Sequence, residues 1–142
     1  MSELNSHVTN SSQKVPRWYP LLAGAFPCGV LGQFLIAGGA LFRNGGLWET
    51  HAIVGGVLFF PASALLVATL YVPQLRTLRR WAGLTFFFYL VQVILAAGST
   101  PLLLSMHPFN GALMLGASLA LLTKVEYLRR YQLKPTSGPL SD

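Results

Sequence analysis

Charged residues are absent from three long stretches of the chain, and this distribution restricts the possible folds more than any other feature. No Asp, Glu, Lys or Arg occurs in residues 18–42, 50–75 or 81–123. Each stretch is long enough to cross a hydrocarbon core of about 30 Å, which takes roughly 20 helical residues. Only 10% of the 142 residues are charged, against about 25% in a soluble domain. The sequence therefore predicts an integral membrane protein.

The third uncharged stretch is too long for one membrane helix. It contains the segment "GSTPLLLSMHPFNG", in which Gly98, Pro101 and Pro108 interrupt the apolar run. Backbone groups in lipid must be hydrogen-bonded internally, so the resulting segments are expected to be helices. The prediction is an all-α fold, an integral membrane four-helix bundle of up-down-up-down topology. The predicted spans are about 18–42, 51–71, 81–99 and 107–127.

Basic residues predict the orientation of this bundle in the membrane. Only Arg43 falls on one side, and nine basic residues fall on the other, namely Lys14, Arg17, Arg76, Arg79, Arg80, Lys124, Arg129, Arg130 and Lys134. By the positive-inside rule, both termini are cytoplasmic. The chain then divides into a flexible cytoplasmic tail (1–17), a transmembrane domain (18–130) and a second cytoplasmic tail (131–142). The expected location is the cytoplasmic (inner) membrane, crossed several times.

The net charge of +6 follows from this distribution. A nucleic-acid partner would need a basic patch on a water-exposed fold, so none is expected, and the main partner predicted is the lipid bilayer. The N-terminal segment lacks the basic-then-apolar order of a signal peptide. Aromatic residues near the span ends are typical of a belt at the membrane–water interface. These residues are Trp18, Tyr19, Trp48, Tyr71, Trp81, Tyr127 and Tyr131.

Two histidines, each followed four positions later by glycine, form the main functional motif. His51 and Gly55 lie in "WETHAIVGG", and His107 and Gly111 lie in "SMHPFNG". Both histidines are predicted to open inward-running helices on the non-cytoplasmic side. In an up-down-up-down bundle the second and fourth helices occupy diagonal corners. Two opposed imidazoles are what a six-coordinate haem iron requires.

Each glycine lies one turn from its histidine on the same helix face and would leave space for a porphyrin. The prediction is a noncovalent haem b whose iron is bound by His51 and His107, with Gly55 and Gly111 against the ring. A covalent attachment is not expected because Cys28 is the one cysteine. Arg43 is a candidate partner of the haem propionates or of Glu49.

Simpler interpretations stand beside this one. Histidines at a membrane interface need no ligand, and Arg43 is an ordinary juxtamembrane residue in the simpler reading. Glycine at four-residue spacing also serves helix packing in membranes, and the lines through Gly24 and Gly116 are interpreted as packing. Gln33 and Gln92 lie in similar segments, "QFLIAGGALF" and "QVILAAGSTP". They are expected to form interhelical hydrogen bonds or to mark a functional interior.

The segment "ETHAIVGG" resembles the Glu-His-glycine signature of haem A synthases, whose halves are four-helix bundles that hold haem between histidines. That family has the spacing Glu-x-x-His, whereas Glu49 and His51 are two residues apart here. A haem A synthase would also bring two such bundles, so its oxidising activity is not implied. Over its whole length the chain resembles small, uncharacterised four-helix bacterial membrane proteins with a segment similar to "SMHPFNG" in the last helix.

The predicted function is that of a membrane b-type cytochrome or haem-binding subunit, with one haem near the non-cytoplasmic face. It would exchange electrons with a quinone or a partner protein, within a larger respiratory or photosynthetic membrane complex. A single haem near one face cannot carry electrons across the bilayer, which favours a subunit over a self-sufficient enzyme. The alternative is a cofactor-free structural subunit of a larger membrane complex. The sequence assigns no catalytic residues.

Overall fold

The structure, a computed structural model, describes residues 14–98 and 100–132. Within these ranges the backbone is helical apart from short connections, and it contains no strand. Most of the two predicted tails, 1–17 and 131–142, lies outside the described residues. The helices are α1 (Trp18–Phe42), α2 (Leu47–Val57), α3 (Phe59–Tyr71), a 3-10 helix (Pro73–Leu78), α4 (Arg79–Ala97) and α5 (Pro101–Gln132).

These elements form four helical stretches long and apolar enough to cross a membrane. The first and last stretches are α1 and α5. In the second, α2 and α3 follow each other with one residue between them, and in the third the 3-10 helix leads directly into α4. This length and composition indicate a multi-pass membrane protein with an all-helical fold.

The separation of α2 from α3 has a local cause in Pro61. Proline lacks a backbone N–H, and its ring crowds the carbonyl of the residue four positions earlier, which is Val57. The helix accordingly breaks at Leu58. The Ala62 N–H still donates to the Leu58 carbonyl over 3.2 Å, so the second stretch continues across the break.

Two helices begin four or more residues before the predicted spans. Helix α2 starts at Leu47 rather than at His51, and α5 starts at Pro101 rather than at His107. Glu49 falls in the first turn of α2, where the helix dipole favours an acidic side chain. Pro101 takes the first helical position, where a missing N–H costs nothing. Neither histidine therefore opens its helix, and α5 continues through Pro108.

Side-chain contacts fix how neighbouring helices run. The Tyr19 hydroxyl, near the start of α1, donates to the Leu65 carbonyl of α3 over 3.2 Å. Near the end of α1, a Cβ on Gly39 would lie 2.9 Å from the side chain of Leu47 in α2. The first stretch is thus antiparallel to the second. Among the described residues, α5 packs against α1 and α4 but makes no close backbone approach to α2 or α3.

The buried core lies toward the end of the bundle where α1 begins and α5 ends. It includes Tyr19, Phe26, Leu65, Leu75, Leu78, Leu121 and Val125, each no more than 2% exposed. Tyr19, which the sequence suggested for the aromatic belt, belongs to this core because its hydroxyl is bonded to a helix carbonyl inside it. In contrast, α2 contains no buried residue. The two ends of the bundle are therefore packed very differently.

Candidate functional site

A cavity of about 900 Å³ occupies the loosely packed end of the bundle. Its volume is at the upper end of the range of roughly 300–1,000 Å³ for ligand sites. All four helical stretches contribute to its wall, which is mostly apolar. The wall includes several polar or aromatic side chains, among them Gln33, Trp48, His51, Tyr89, Gln92 and His107.

His51 and His107 are neighbours on the wall of this cavity, with their rings in an edge arrangement. Their ring centroids are 6.0 Å apart and their planes are inclined at 61°. Two nitrogens on opposite sides of one metal ion lie about 4 Å apart, since each metal–nitrogen bond is about 2 Å long. The ring centres lie farther out by the radius of each imidazole, so the observed spacing suits two rings that flank one ion. Trp48 lies edge-on to His51, with its ring centroid 5.7 Å away.

Each histidine also has an unpaired nitrogen. The Nδ1 atoms of His51 and His107 are buried, and neither has a hydrogen-bond partner among the described residues. The same is true of the Nε2 atom of Gln33. A buried polar atom without a partner costs free energy. These atoms therefore mark a place where a ligand would supply the missing partner.

The other nitrogen of His107 is held by a short chain of hydrogen bonds between α4 and α5. The Phe88 carbonyl can only accept, so the amide of Asn110 donates to it over 2.9 Å and to Gln92 Oε1 over 2.6 Å. The amide nitrogen of Gln92 then faces His107 Nε2 at 3.0 Å and donates to it. Gln92 thus forms an interhelical bond of the kind the sequence suggested.

Gly55 and Gly111 both line the cavity. A Cβ added to Gly55 would lie 3.3 Å from Gln33 Oε1, and one added to Gly111 would lie 3.1 Å from Phe34 Cζ. Both neighbours are ends of side chains that also face the cavity. The two glycines therefore place no side chain of their own at the cavity wall one turn from each histidine, and the ends of Gln33 and Phe34 occupy the adjacent positions.

The inner limit of the cavity is formed by Leu58 and Met114. Both continue the helix faces of the two histidines, and both are largely buried. One turn farther along, Ala62 and Ser118 are 1% exposed and belong to the packed interior rather than to the cavity wall. The free space thus ends about two turns beyond the histidines.

Arg43 is placed differently from the other predicted site residues. It is exposed just after α1, where its backbone N–H donates to the Gly39 carbonyl over 3.0 Å. It is not among the residues that line the cavity. Within the described part of the chain, Arg43 and Glu49 form no ion pair. The arrangement of the site therefore gives Arg43 no direct role.

Three residues at or beside the cavity were not singled out as functional from the sequence. Asn110 lies three positions after His107, and Tyr89 lies three positions before Gln92, so helical spacing would have placed each beside a residue already noted. The Tyr89 hydroxyl donates to the Gly55 carbonyl over 3.1 Å. Trp48 was noted only for its place near a span end.

The donor set restricts what the site can hold. Among the described residues, no group of three or more His, Cys, Asp or Glu side chains could bind a metal ion. Two imidazoles alone are a poor site for a bare ion, which takes four or more ligands. They are sufficient for a metal that arrives with its own planar set of donors, as iron does in haem.

Comparison with known protein families gives a match to a family whose function is unknown. Residues 33–101 are similar to a family of unknown function, DUF6220. This region is just under half of the chain, and it includes His51 but ends six residues before His107. No curated protein and no solved structure matches the chain. The comparisons thus show no similarity to haem A synthases or other cytochromes, and the region 33–101 is similar to DUF6220.

Proposed function

We propose that the protein is a membrane b-type cytochrome or haem-binding subunit that holds one haem b between His51 and His107. The observation that carries the proposal is the pair of imidazoles at 6.0 Å on the wall of one large apolar cavity. The rings come from α2 and α5, which do not otherwise approach each other closely.

Three features of the cavity support this ligand. Both histidines keep a buried nitrogen without a partner. Gly55 and Gly111 line the cavity one turn from each histidine and place no side chain of their own against a flat macrocycle. The wall is mostly apolar, as a porphyrin face requires. When bound, haem would supply one-electron redox chemistry, and the chain's own residues would orient it and exclude water.

Gln92 is the residue whose position must change with ligation. His107 can bind iron through Nε2 only if the Gln92 amide gives up its 3.0 Å bond. Binding through Nδ1 would require the proton to move to Nε2, which then needs an acceptor. Gln92 would meet that need by turning its amide oxygen toward the ring. Partners of this kind orient a metal-bound histidine and raise its basicity.

We further propose an up-down-up-down bundle with both termini on the cytoplasmic side of the inner membrane. The antiparallel contacts of the first two stretches support the alternation, and the positive-inside rule supports the orientation. The haem site would then lie near the non-cytoplasmic face. Electron exchange with a quinone or a partner protein, within a larger membrane complex, follows from having a single redox centre on one side.

The competing function is that of a cofactor-free structural subunit. The bonds that join His107, Gln92, Asn110 and the Phe88 carbonyl favour it, because they also connect α4 to α5 without any ligand. In that case the cavity would be filled by lipid chains or by a neighbouring subunit.

The decisive experiment is an absorption spectrum of the full-length protein purified after haem-replete expression, first oxidised and then reduced with dithionite. A low-spin b-type spectrum is expected. His51→Ala and His107→Ala should each abolish it or convert it to a five-coordinate form. His7→Ala is the matched control, since the chain has three histidines, and should leave the spectrum unchanged. Wild-type protein without Soret absorption would refute the proposal.

A further inference from the structure

A second depression, of about 300 Å³, lies at the opposite end of the bundle from the cavity. It is formed where the 3-10 helix passes into α4, against the last turns of α5. Six residues line it, namely Thr77, Leu78, Trp81, Lys124, Tyr127 and Leu128. The volume is at the low end of the range for ligand sites, so it suits a headgroup rather than a whole lipid.

The polar groups of this depression are suited to an anion. Lys124 and the indole N–H of Trp81 can only donate hydrogen bonds, and Thr77 and Tyr127 add hydroxyl groups. Among the described residues, none of these four side chains has a hydrogen-bond or ion-pair partner. No acidic residue lines the depression. Thr77, Lys124 and Tyr127 are exposed, so an acceptor with several oxygen atoms would replace water at the groups that line the depression.

The nearest acidic side chain does not compete for this role. Glu126 lies between Lys124 and Tyr127 in sequence, but its carboxylate is paired with Arg129 at 3.2 Å. Two further basic side chains, Arg76 and Arg80, are exposed near the same end of the bundle. The local charge is therefore strongly positive.

The surroundings join this positive charge to an apolar surface. Leu78 and Leu128 form apolar parts of the lining. Trp81 and Tyr127 have the apolar body and polar tip that suit a membrane–water interface. One turn along α4 from Trp81, in the direction of the apolar span, Leu84 is 39% exposed. A ligand whose phosphate occupied the depression could lay a hydrocarbon chain along this surface.

We propose that this depression binds the phosphate of an anionic phospholipid headgroup. Lys124 provides the principal charge, and the indole N–H of Trp81 and the hydroxyls of Thr77 and Tyr127 donate to the remaining oxygen atoms. Basic sites beside transmembrane helices are known to hold anionic headgroups in this way. The proposal concerns the end of the bundle away from His51 and His107, and it is independent of haem binding.

The test is a titration of the detergent-solubilised full-length protein with phosphatidylglycerol, with bound lipid counted by native mass spectrometry. Phosphatidylcholine of the same chain length and inorganic phosphate form the two comparison arms. One phosphatidylglycerol is expected to bind in preference to phosphatidylcholine. Phosphate at millimolar concentration is not expected to displace it, because it lacks the acyl chains that contact the apolar surface.

Two substitutions locate the site. Lys124→Gln should weaken phosphatidylglycerol binding by about fivefold, the effect of one basic side chain near an anionic membrane surface. Trp81→Phe keeps an aromatic ring but removes the N–H, and it should weaken binding by about threefold, as expected for one hydrogen bond. Arg130→Gln is the matched control: it removes the same charge from an exposed residue of α5 that does not line the depression.

The outcomes separate a built site from general attraction. Binding that is weakened by Lys124→Gln and Trp81→Phe but unchanged in Arg130→Gln supports the proposal. Equal weakening by Lys124→Gln and Arg130→Gln would overturn it, because the effect would then depend on net charge alone. Displacement of the lipid by inorganic phosphate would also overturn it, since the site would then recognise a free anion.

Discussion

His107 has its Nε2 atom bonded to Gln92, and Asn110 in turn holds the amide of Gln92. A cofactor-free bundle keeps this bond as an interhelical contact. A haem-binding bundle has to release or reverse it before His107 can ligate iron. Gln33, in the similar segment of α1, offers a comparison because its amide nitrogen is buried without a partner.

Gln92→Leu is expected to lower the stability of the haem-free protein by about 0.6–1.7 kcal/mol, from the measured average to the measured maximum for a side-chain hydrogen bond between membrane helices. Haem occupancy should persist, because the substitution also removes a donor that competes for His107. Haem content per protein and unfolding of the haem-free form are the two measurements. Gln33→Leu is the control and should cost less, since it breaks no hydrogen bond of its amide nitrogen. Loss of haem in Gln92→Leu, with retention in His107→Ala, would contradict this assignment.

The two glycines beside the histidines give a second prediction. Gly55→Leu and Gly111→Leu are each expected to expel the cofactor while the helices remain assembled, because the new side chain would fill space beside the ring. Added volume in a packed site costs about 1–3 kcal/mol. Haem content and thermal stability should be measured on the same samples.

Gly24 and Gly116 provide the matched controls for these substitutions. The sequence suggested that both serve helix packing, but a Cβ on either would meet nothing within 4 Å. Gly24→Leu and Gly116→Leu should therefore leave both haem content and stability nearly unchanged. Full haem occupancy in both the Gly55 and Gly111 variants would remove the role proposed for those glycines.

The break between α2 and α3 decides how His51 is presented to the cavity. His51 lies in α2, before the break, whereas the well-buried residues of the second stretch, such as Ala62 and Leu65, lie in α3. Leu58, at the break itself, packs on Gly29 of α1, where an added Cβ would come within 2.6 Å of the leucine side chain. This contact fixes the direction of α2 together with the Gly39–Leu47 contact and the bond from Tyr89 to the Gly55 carbonyl.

Pro61→Ala should restore the missing N–H and allow α2 and α3 to form one straight helix. His51 would then move relative to His107, so haem occupancy is expected to fall while stability stays the same or rises. The spectrum and the thermal unfolding curve of the same preparation check this. Pro27→Ala is the control, since α1 is already continuous through Pro27. An unchanged spectrum in Pro61→Ala would show that the break does not position His51.

The sequence could predict these helices but not all of their ends. Uncharged runs mark the segments that can lie in lipid, and the first predicted span, 18–42, covers the same residues as α1. The same criterion placed the start of the second span after Glu49. The first turn of a helix can, however, extend beyond the apolar region and carry a charged residue there. The criterion also treated Pro101 as an interruption, whereas proline at the first position of a helix is favourable.

The cavity was predictable in part for similar reasons. Helical spacing placed His51, Gly55, His107 and Gly111 on facing surfaces, and all four line the cavity. Arg43 was included for its charge alone, which says nothing about where a loop directs its side chain. Asn110 was missed because its spacing from His107 places it near that residue but does not reveal its partners on α4, which are Gln92 and the Phe88 carbonyl.

Taken as a whole, the bundle has one strongly basic end and one end with few charged side chains. Among the described residues, eight basic side chains lie at the end where α1 begins, and Arg43 lies at the other end. The proposed orientation predicts that the loop after α1 is accessible from outside the cell membrane and the 3-10 helix from the cytoplasm.

Cysteine labelling in a Cys28→Ala background tests this orientation. Gly45→Cys reports on the loop, where an added Cβ meets nothing within 4 Å, and Thr77→Cys reports on the 3-10 helix, where the side chain is exposed. A membrane-impermeant thiol reagent added to intact cells should label Gly45→Cys and not Thr77→Cys until the membrane is opened. The reverse pattern would invert the proposed topology and place the cavity on the cytoplasmic side.

The absence of buried residues from α2 has a consequence for how the cavity exchanges its contents. Segments with few buried contacts open locally at a small fraction of the free energy of global unfolding. Helix α2 carries His51 and forms one wall of the cavity, while the remaining helices are secured by the core at the far end. Because backbone groups in lipid must stay hydrogen-bonded, a bulky, rigid guest would enter and leave by displacement of the intact eleven-residue helix, and its residence time would be governed by the rate of that movement.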